Sequence, residues 1–118
     1  MLIRSQDKES LIAIDGNFVE ILKYGDLSEC SITVSTRDHS SLHVMARYSS
    51  VEKALKVLDM IQEAYEEYKI TCTFLTGFTG HRSIAESNNI QVNGFEELVK
   101  SFKKNMVFQM PADSEVEV

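Results

Sequence analysis

Between Ala54 and Tyr68 the apolar residues Ala54, Leu55, Leu58, Ile61, Ala64, Tyr65 and Tyr68 recur at intervals of three and four. On an α-helix that spacing gathers them into one continuous stripe, and such a stripe has to be covered by another layer of structure. Ser49-Ser50-Val51-Glu52 precedes it as a capping box, in which the Ser49 hydroxyl and the Glu52 carboxylate serve the free amides of the first turn. Glu52 and Lys56, one turn apart, form a favourable pair on the exposed side. The spacing predicts a helix over 51–68, about 27 Å long at 1.5 Å per residue.

The residues ahead of that helix read as the covering layer. Leu2-Ile3-Arg4, Leu11 to Ile14, Phe18 to Tyr24, Ser31 to Ser35 and Leu42 to Tyr48 are short apolar or alternating runs. They are separated by Ser5-Gln6-Asp7-Lys8, Gly16-Asn17, Gly25-Asp26 and the polar stretch 37–41. Successive strands with short polar links predict an antiparallel meander. Beyond the helix, Ile70-Thr71-Cys72-Thr73-Phe74 alternates and predicts a returning strand. The polar, glycine-punctuated segment 76–89 predicts a loop. A second helix is expected over 95–104, with Asn93 as cap, Glu96 and Glu97 in its first turn, and Lys100, Lys103 and Lys104 in its last. Phe95, Leu98, Val99 and Phe102 form its buried face. Val107-Phe108 predicts a short edge strand that Pro111 ends. The fold class expected is therefore α+β: a meander of about five strands packed against a long amphipathic helix, with a shorter C-terminal helix. Residues 1–111 are expected to form one domain, followed by a mobile acidic tail over 112–118.

A chain of 118 residues holds a core large enough to need neither metal nor disulfide. Cys30 and Cys72, far apart in sequence, read as reduced thiols of a cytosolic protein, although the spacing leaves a bridge open. No apolar run reaches the roughly 20 residues that span a bilayer, and the segment Met1 to Asp7 lacks the apolar core of a signal peptide. Cytoplasmic location and no membrane contact are expected. Eighteen acidic against twelve basic residues leave a net charge of −6. Direct binding to nucleic acid, which needs a basic face, is therefore not expected; docking onto a basic groove of another protein is.

The carboxylates are unevenly placed. Asp59, Glu63, Glu66 and Glu67 crowd the C-terminal half of the expected helix, with Lys69 alone to offset them. There they oppose the helix dipole, and Asp59–Glu63 and Glu63–Glu67 are like-charge pairs one turn apart. A solvated helix face accounts for such a run, and so does an acidic ridge for a basic partner, extended by Asp113, Glu115 and Glu117 of the tail.

Motifs that would carry chemistry are weak. His39 and His43 lie on a turn and strand, where four residues span about 13 Å, so no metal site is expected. Gly77-Phe78-Thr79-Gly80-His81-Arg82-Ser83 has the composition of an anion-binding nest. It lacks the spacing and lysine of a P-loop, and a glycine-rich turn accounts for it. If that loop acts, it contacts a partner through Phe78 and Arg82. No Gly-x-Ser-x-Gly elbow is present, and no catalytic residue or cofactor is expected.

The opening Met1-Leu2-Ile3-Arg4-Ser5-Gln6-Asp7-Lys8-Glu9-Ser10-Leu11, the helix segment Glu52-Lys53-Ala54-Leu55-Lys56-Val57-Leu58-Asp59-Met60-Ile61-Gln62, and the ending Val107-Phe108-Gln109-Met110-Pro111 with its acidic tail resemble a family of small proteins. Phages, prophages and mobile elements of Gram-positive bacteria encode that family. The resemblance covers residues 1–68 and 107–117, leaves 69–106 without a counterpart, and carries no catalytic residue over. Small acidic proteins in that genetic setting include inhibitors of host defence nucleases, among them anti-CRISPR proteins. The resemblance implies that genetic setting; by association with it, and with the acidic ridge, the expected function is that of a non-enzymatic inhibitor of a host nucleic-acid-handling protein, such as a CRISPR nuclease, acting in the host cytoplasm. Asp59, Glu63, Glu66 and Glu67 are its expected contacts, with Phe78 and Arg82 secondary. The alternative is a phage structural or assembly protein that oligomerises through apolar edges such as Phe108 and the strand surface. A third is a phosphate- or nucleotide-binding enzyme using the segment Gly77 to Ser83.

Overall fold

The protein is an α+β fold. The computed structural model describes residues 1–25, 28–87 and 95–118, with the side chains of 74–87, 95, 98 and 101 outside that description. The chain runs β1 (Leu2–Arg4), β2 (Leu11–Ala13), β3 (Phe18–Lys23), β4 (Cys30–Ser35), β5 (Leu42–Tyr48), α1 (Val51–Ser87), α2 (Phe95–Asn105) and β6 (Val107–Gln109). A 3-10 turn, Asp113–Glu115, follows.

The five expected strands are present, but they divide between two sheets. β3, β4 and β5 form an antiparallel meander in that order, while β1 lies between β2, antiparallel to it, and β6, parallel to it. Local links do not reveal this division, because β6 reaches β1 across more than 100 residues of chain. The turn between the sheets closes with Asn17 N–H donating to the Ile14 carbonyl at 3.1 Å. Gly16 holds φ of +78° there, a conformation that a Cβ would strain. Gln6 joins the two sheets: its N–H donates to the Met45 carbonyl at 2.8 Å, and its side-chain oxygen accepts from Arg47 N–H at 3.0 Å. Its side-chain amide donates to the Pro111 carbonyl at 3.0 Å.

The core lies between α1 and the sheets. Ile32 and Val34 of β4, Met45, Ala46 and Tyr48 of β5, and Ile3 of β1 meet Ala54, Val57 and Ile61 of α1, all buried. Fully burying an aliphatic side chain of this kind contributes about 1.5–3 kcal/mol. The Tyr48 hydroxyl, carried into this core, donates to the Pro111 carbonyl at 2.8 Å.

Two expectations about α1 change. Its cap is Ser50, one residue later than read, with Ser50 Oγ accepting from Lys53 N–H at 3.3 Å. The helix also runs for 37 residues, about 55 Å, through the expected strand 70–74 and most of the expected loop 76–89. Residues 88 and 89, like the expected cap Asn93, lie outside the described residues. The helix outruns a sheet whose strands of six or seven residues span roughly 20 Å. Part of the reason is α2, whose Phe102 stacks on Tyr68 with ring centroids 5.9 Å apart. This contact gives the segment beyond the sheet a second helix to pack on.

The tail, expected to stand apart from the domain, is packed against it. Val116 is buried in the core, and Asp113 and the Glu117 carbonyl are hydrogen-bonded to residues at the start of α1. Its acidic composition hides a single apolar anchor, which suffices to hold so short a segment.

Candidate interaction surfaces

On α1 the buried residues Ala54, Val57 and Ile61 define the inward side. At 100° per residue, Asp59, Glu63, Glu66 and Glu67 fall on the opposite side, and all four are exposed. Gln62 donates to Glu66 Oε1 at 3.3 Å. Among the described residues no cation forms an ion pair with any of the four. Lys69, the cation expected to offset them, turns away. Its Nζ lies 3.9 Å from Asp15 and 5.4 Å from the centre of the Tyr65 ring. Asp15 is held below the usual carboxylate range, chiefly by the Tyr65 hydroxyl donating to it at 2.8 Å.

The expected opposition between these carboxylates and the helix dipole is absent. The four carboxylates occupy the middle of a helix that ends at Ser87, so they are remote from its negative pole and incur no dipole penalty. The like-charge pairs one turn apart remain, at about 0.2–0.5 kcal/mol each.

The tail extends this surface toward the start of α1. Asp113 Oδ1 accepts from Ser49 N–H at 2.8 Å and from Ser49 Oγ at 3.0 Å, and Lys53 Nζ donates to the Asp113 carbonyl at 2.9 Å. These bonds hold the Asp113 carboxyl below its ordinary value, the backbone amide of Ser49 foremost. Lys56 donates to the Glu117 carbonyl instead of pairing with Glu52. Glu115 and Glu117 are thereby brought, exposed, beside the first turns of the helix that carries the ridge. Asp113, expected only as part of the acidic surface, is an anchor as well. Its position two residues after Pro111, followed by the lone apolar pair of Val116 and Val118, was the available signal.

Phe78 and Arg82 lie on the helical backbone of α1, with side chains outside the described residues. Helical geometry spends the amides of residues 77–83 on carbonyls one turn back, whereas an anion nest needs them free. The nest reading of Gly77 to Ser83 thus loses its backbone basis.

A second surface is the outer face of the three-stranded sheet. Register places Phe18, Ser35 and Leu42 in one row, Glu20, Thr33 and Val44 in the next, and Leu22, Ser31 and Arg47 in the third. The β-bulge at Ile32/Thr33 turns both Met45 and Ala46 into the core and so restores the alternation. Ser31, Thr33 and Ser35 of β4 are buried between the flanking strands β3 and β5, on which Phe18, Leu22, Leu42 and Val44 are 45%, 41%, 54% and 43% exposed. Phe108, expected as an apolar edge, instead packs half-buried against the core.

His39 stacks on Phe18 at 5.7 Å, and His43 Nε2 lies 2.9 Å from Ser41 Oγ. No cluster of metal-ligating side chains occurs among the described residues. Cys30 and Cys72 are not joined in a disulfide, and burial pushes the Cys30 thiol up. No helix among the described residues is long and apolar enough to cross a membrane.

Comparison with known proteins identifies no relative: no family model matches the chain, and neither a curated protein nor a solved structure matches it significantly.

Proposed function

We propose that the protein is a non-enzymatic interaction protein that binds a basic, nucleic-acid-handling partner through the acidic surface of α1 and the docked tail. The observation that carries this is the exposed run Asp59, Glu63, Glu66 and Glu67, without an ion pair among the described residues, from which Lys69 has been drawn aside by Asp15. Four carboxylates along eight residues of helix rise amount to one charge per about 4 Å. A single nucleic-acid strand carries one per about 3.4 Å. A groove lined with Lys and Arg to hold such a strand therefore meets a similar line of charge on α1. With the resemblance to mobile-element proteins, the partner class is a host nuclease such as a CRISPR effector in the host cytoplasm, and the effect is occlusion of its DNA or guide-RNA channel.

The test is binding of the double variant Glu63→Lys/Glu67→Lys to a captured nuclease partner. Loss of binding in a folded variant supports the assignment. Unchanged binding removes the ridge from it.

A further inference from the structure

The outer face of β3, β4 and β5 carries four large apolar side chains, Phe18, Leu22, Leu42 and Val44, each 41–54% exposed, with His39 stacked beside Phe18 at one end. It also differs in charge from the rest of the molecule. Glu20 and Arg47 are the charged residues in its three rows, so the face is neutral on a protein of net charge −6. We infer that this face is where a second copy of the chain docks, independently of the acidic surface of α1.

Charge selects that occupant. Two copies at −6 repel one another wherever their acidic surfaces approach, and this face lets them meet without opposing carboxylates. An anionic lipid surface or nucleic acid finds no basic excess here. A two-fold axis parallel to the strands lays β3 of one copy over β5 of the other. Phe18 then meets the second copy's Leu42, twice over by symmetry, and Glu20 lies one row from the second copy's Arg47. An axis across the strands through the middle row would instead stack Glu20 on Glu20, so the first arrangement is the one that fits.

Area sets the strength. Three strands of six paired residues present about 14 by 20 Å, well below the roughly 800 Å² per partner of a standard interface. The dimer is accordingly weak, reversible and concentration-dependent. Salt screens the repulsion between the two acidic bodies and strengthens it, opposite to the salt response of the acidic surface.

Sedimentation equilibrium of the full chain from about 10 μM to about 1 mM, at low and high salt, tests this. Expected are a monomer–dimer equilibrium that tightens with salt and a loss of at least about ten-fold in affinity for Leu42→Asp. Glu20→Arg should weaken the dimer, and adding Arg47→Glu should restore it. Leu42 and Glu20 are exposed, so circular dichroism should show each variant folded. A protein that stays monomeric throughout, or a dimer indifferent to Leu42→Asp and to the charge exchange, overturns the inference.

Discussion

Asp113 accepts hydrogen bonds from both the amide and the hydroxyl of Ser49, at 2.8 and 3.0 Å, and so fixes the acidic tail to the residue that leads into α1. Val116, three residues on, is 5% exposed and completes the anchorage. Val116→Ala, which removes two buried methyl groups, should cost about 1.5 kcal/mol. For a chain of 118 residues that lowers Tm by roughly 6 °C. Thermal unfolding that left the variant at the wild-type Tm would show the tail to be undocked.

The same anchorage should respond to acid. Asp113 has a folded pKa below its ordinary 3.8, so its contribution is fully present above about pH 4 and lost as pH falls through the folded value. Amide exchange in residues 112–118 should therefore accelerate relative to the sheet below pH 4. Asp113→Asn should show reduced protection already at pH 7 and no such acid transition.

How far the fold could be read in advance depended on where its determinants lie along the chain. Alternation in Ser31 to Ser35 and Leu42 to Tyr48, and the stripe from Ala54 to Tyr68, are local periodicities, and the structure follows them. The division into two sheets is not local: β1 is paired by β6, and Gln6 reaches Met45 and Pro111. Ile70 to Phe74 has the β-branched alternation of a strand, yet it continues α1, and Tyr68 just before it is stacked on Phe102. The exposure of Asp59, Glu63, Glu66 and Glu67 followed from helical phase. The departure of Lys69 toward Asp15 did not, because Asp15 lies more than 50 residues away in sequence.

Thr73 distinguishes the continued helix from the strand its neighbours suggest. It is exposed on α1, so Thr73→Ala should raise stability by up to about 0.7 kcal/mol through helix propensity. In a strand the same change would lower stability. Chemical denaturation reads the sign directly.

The stacking of Tyr68 on Phe102 should appear as a coupling between the helices. A double-mutant cycle with Tyr68→Leu and Phe102→Leu is expected to give an interaction of about 0.5–1.5 kcal/mol. Additive effects would mean that the rings contribute burial alone.

Glu63→Lys converts two like-charge pairs, with Asp59 and with Glu67, into attractive ones. Its stability should rise by about 1–2 kcal/mol, measured by denaturation at low salt, with the gain fading as salt is raised. A loss of stability would mean that the carboxylate serves the fold.

Affinity purification from a bacterial host, with the wild-type chain and the Glu63→Lys/Glu67→Lys variant in parallel at low and high salt, tests the acidic surface of α1 as a binding site. The expected result is a basic nucleic-acid-handling protein that is retained by the wild type at low salt, released at high salt, and absent from the variant. A partner held equally by both chains and indifferent to salt would contradict it.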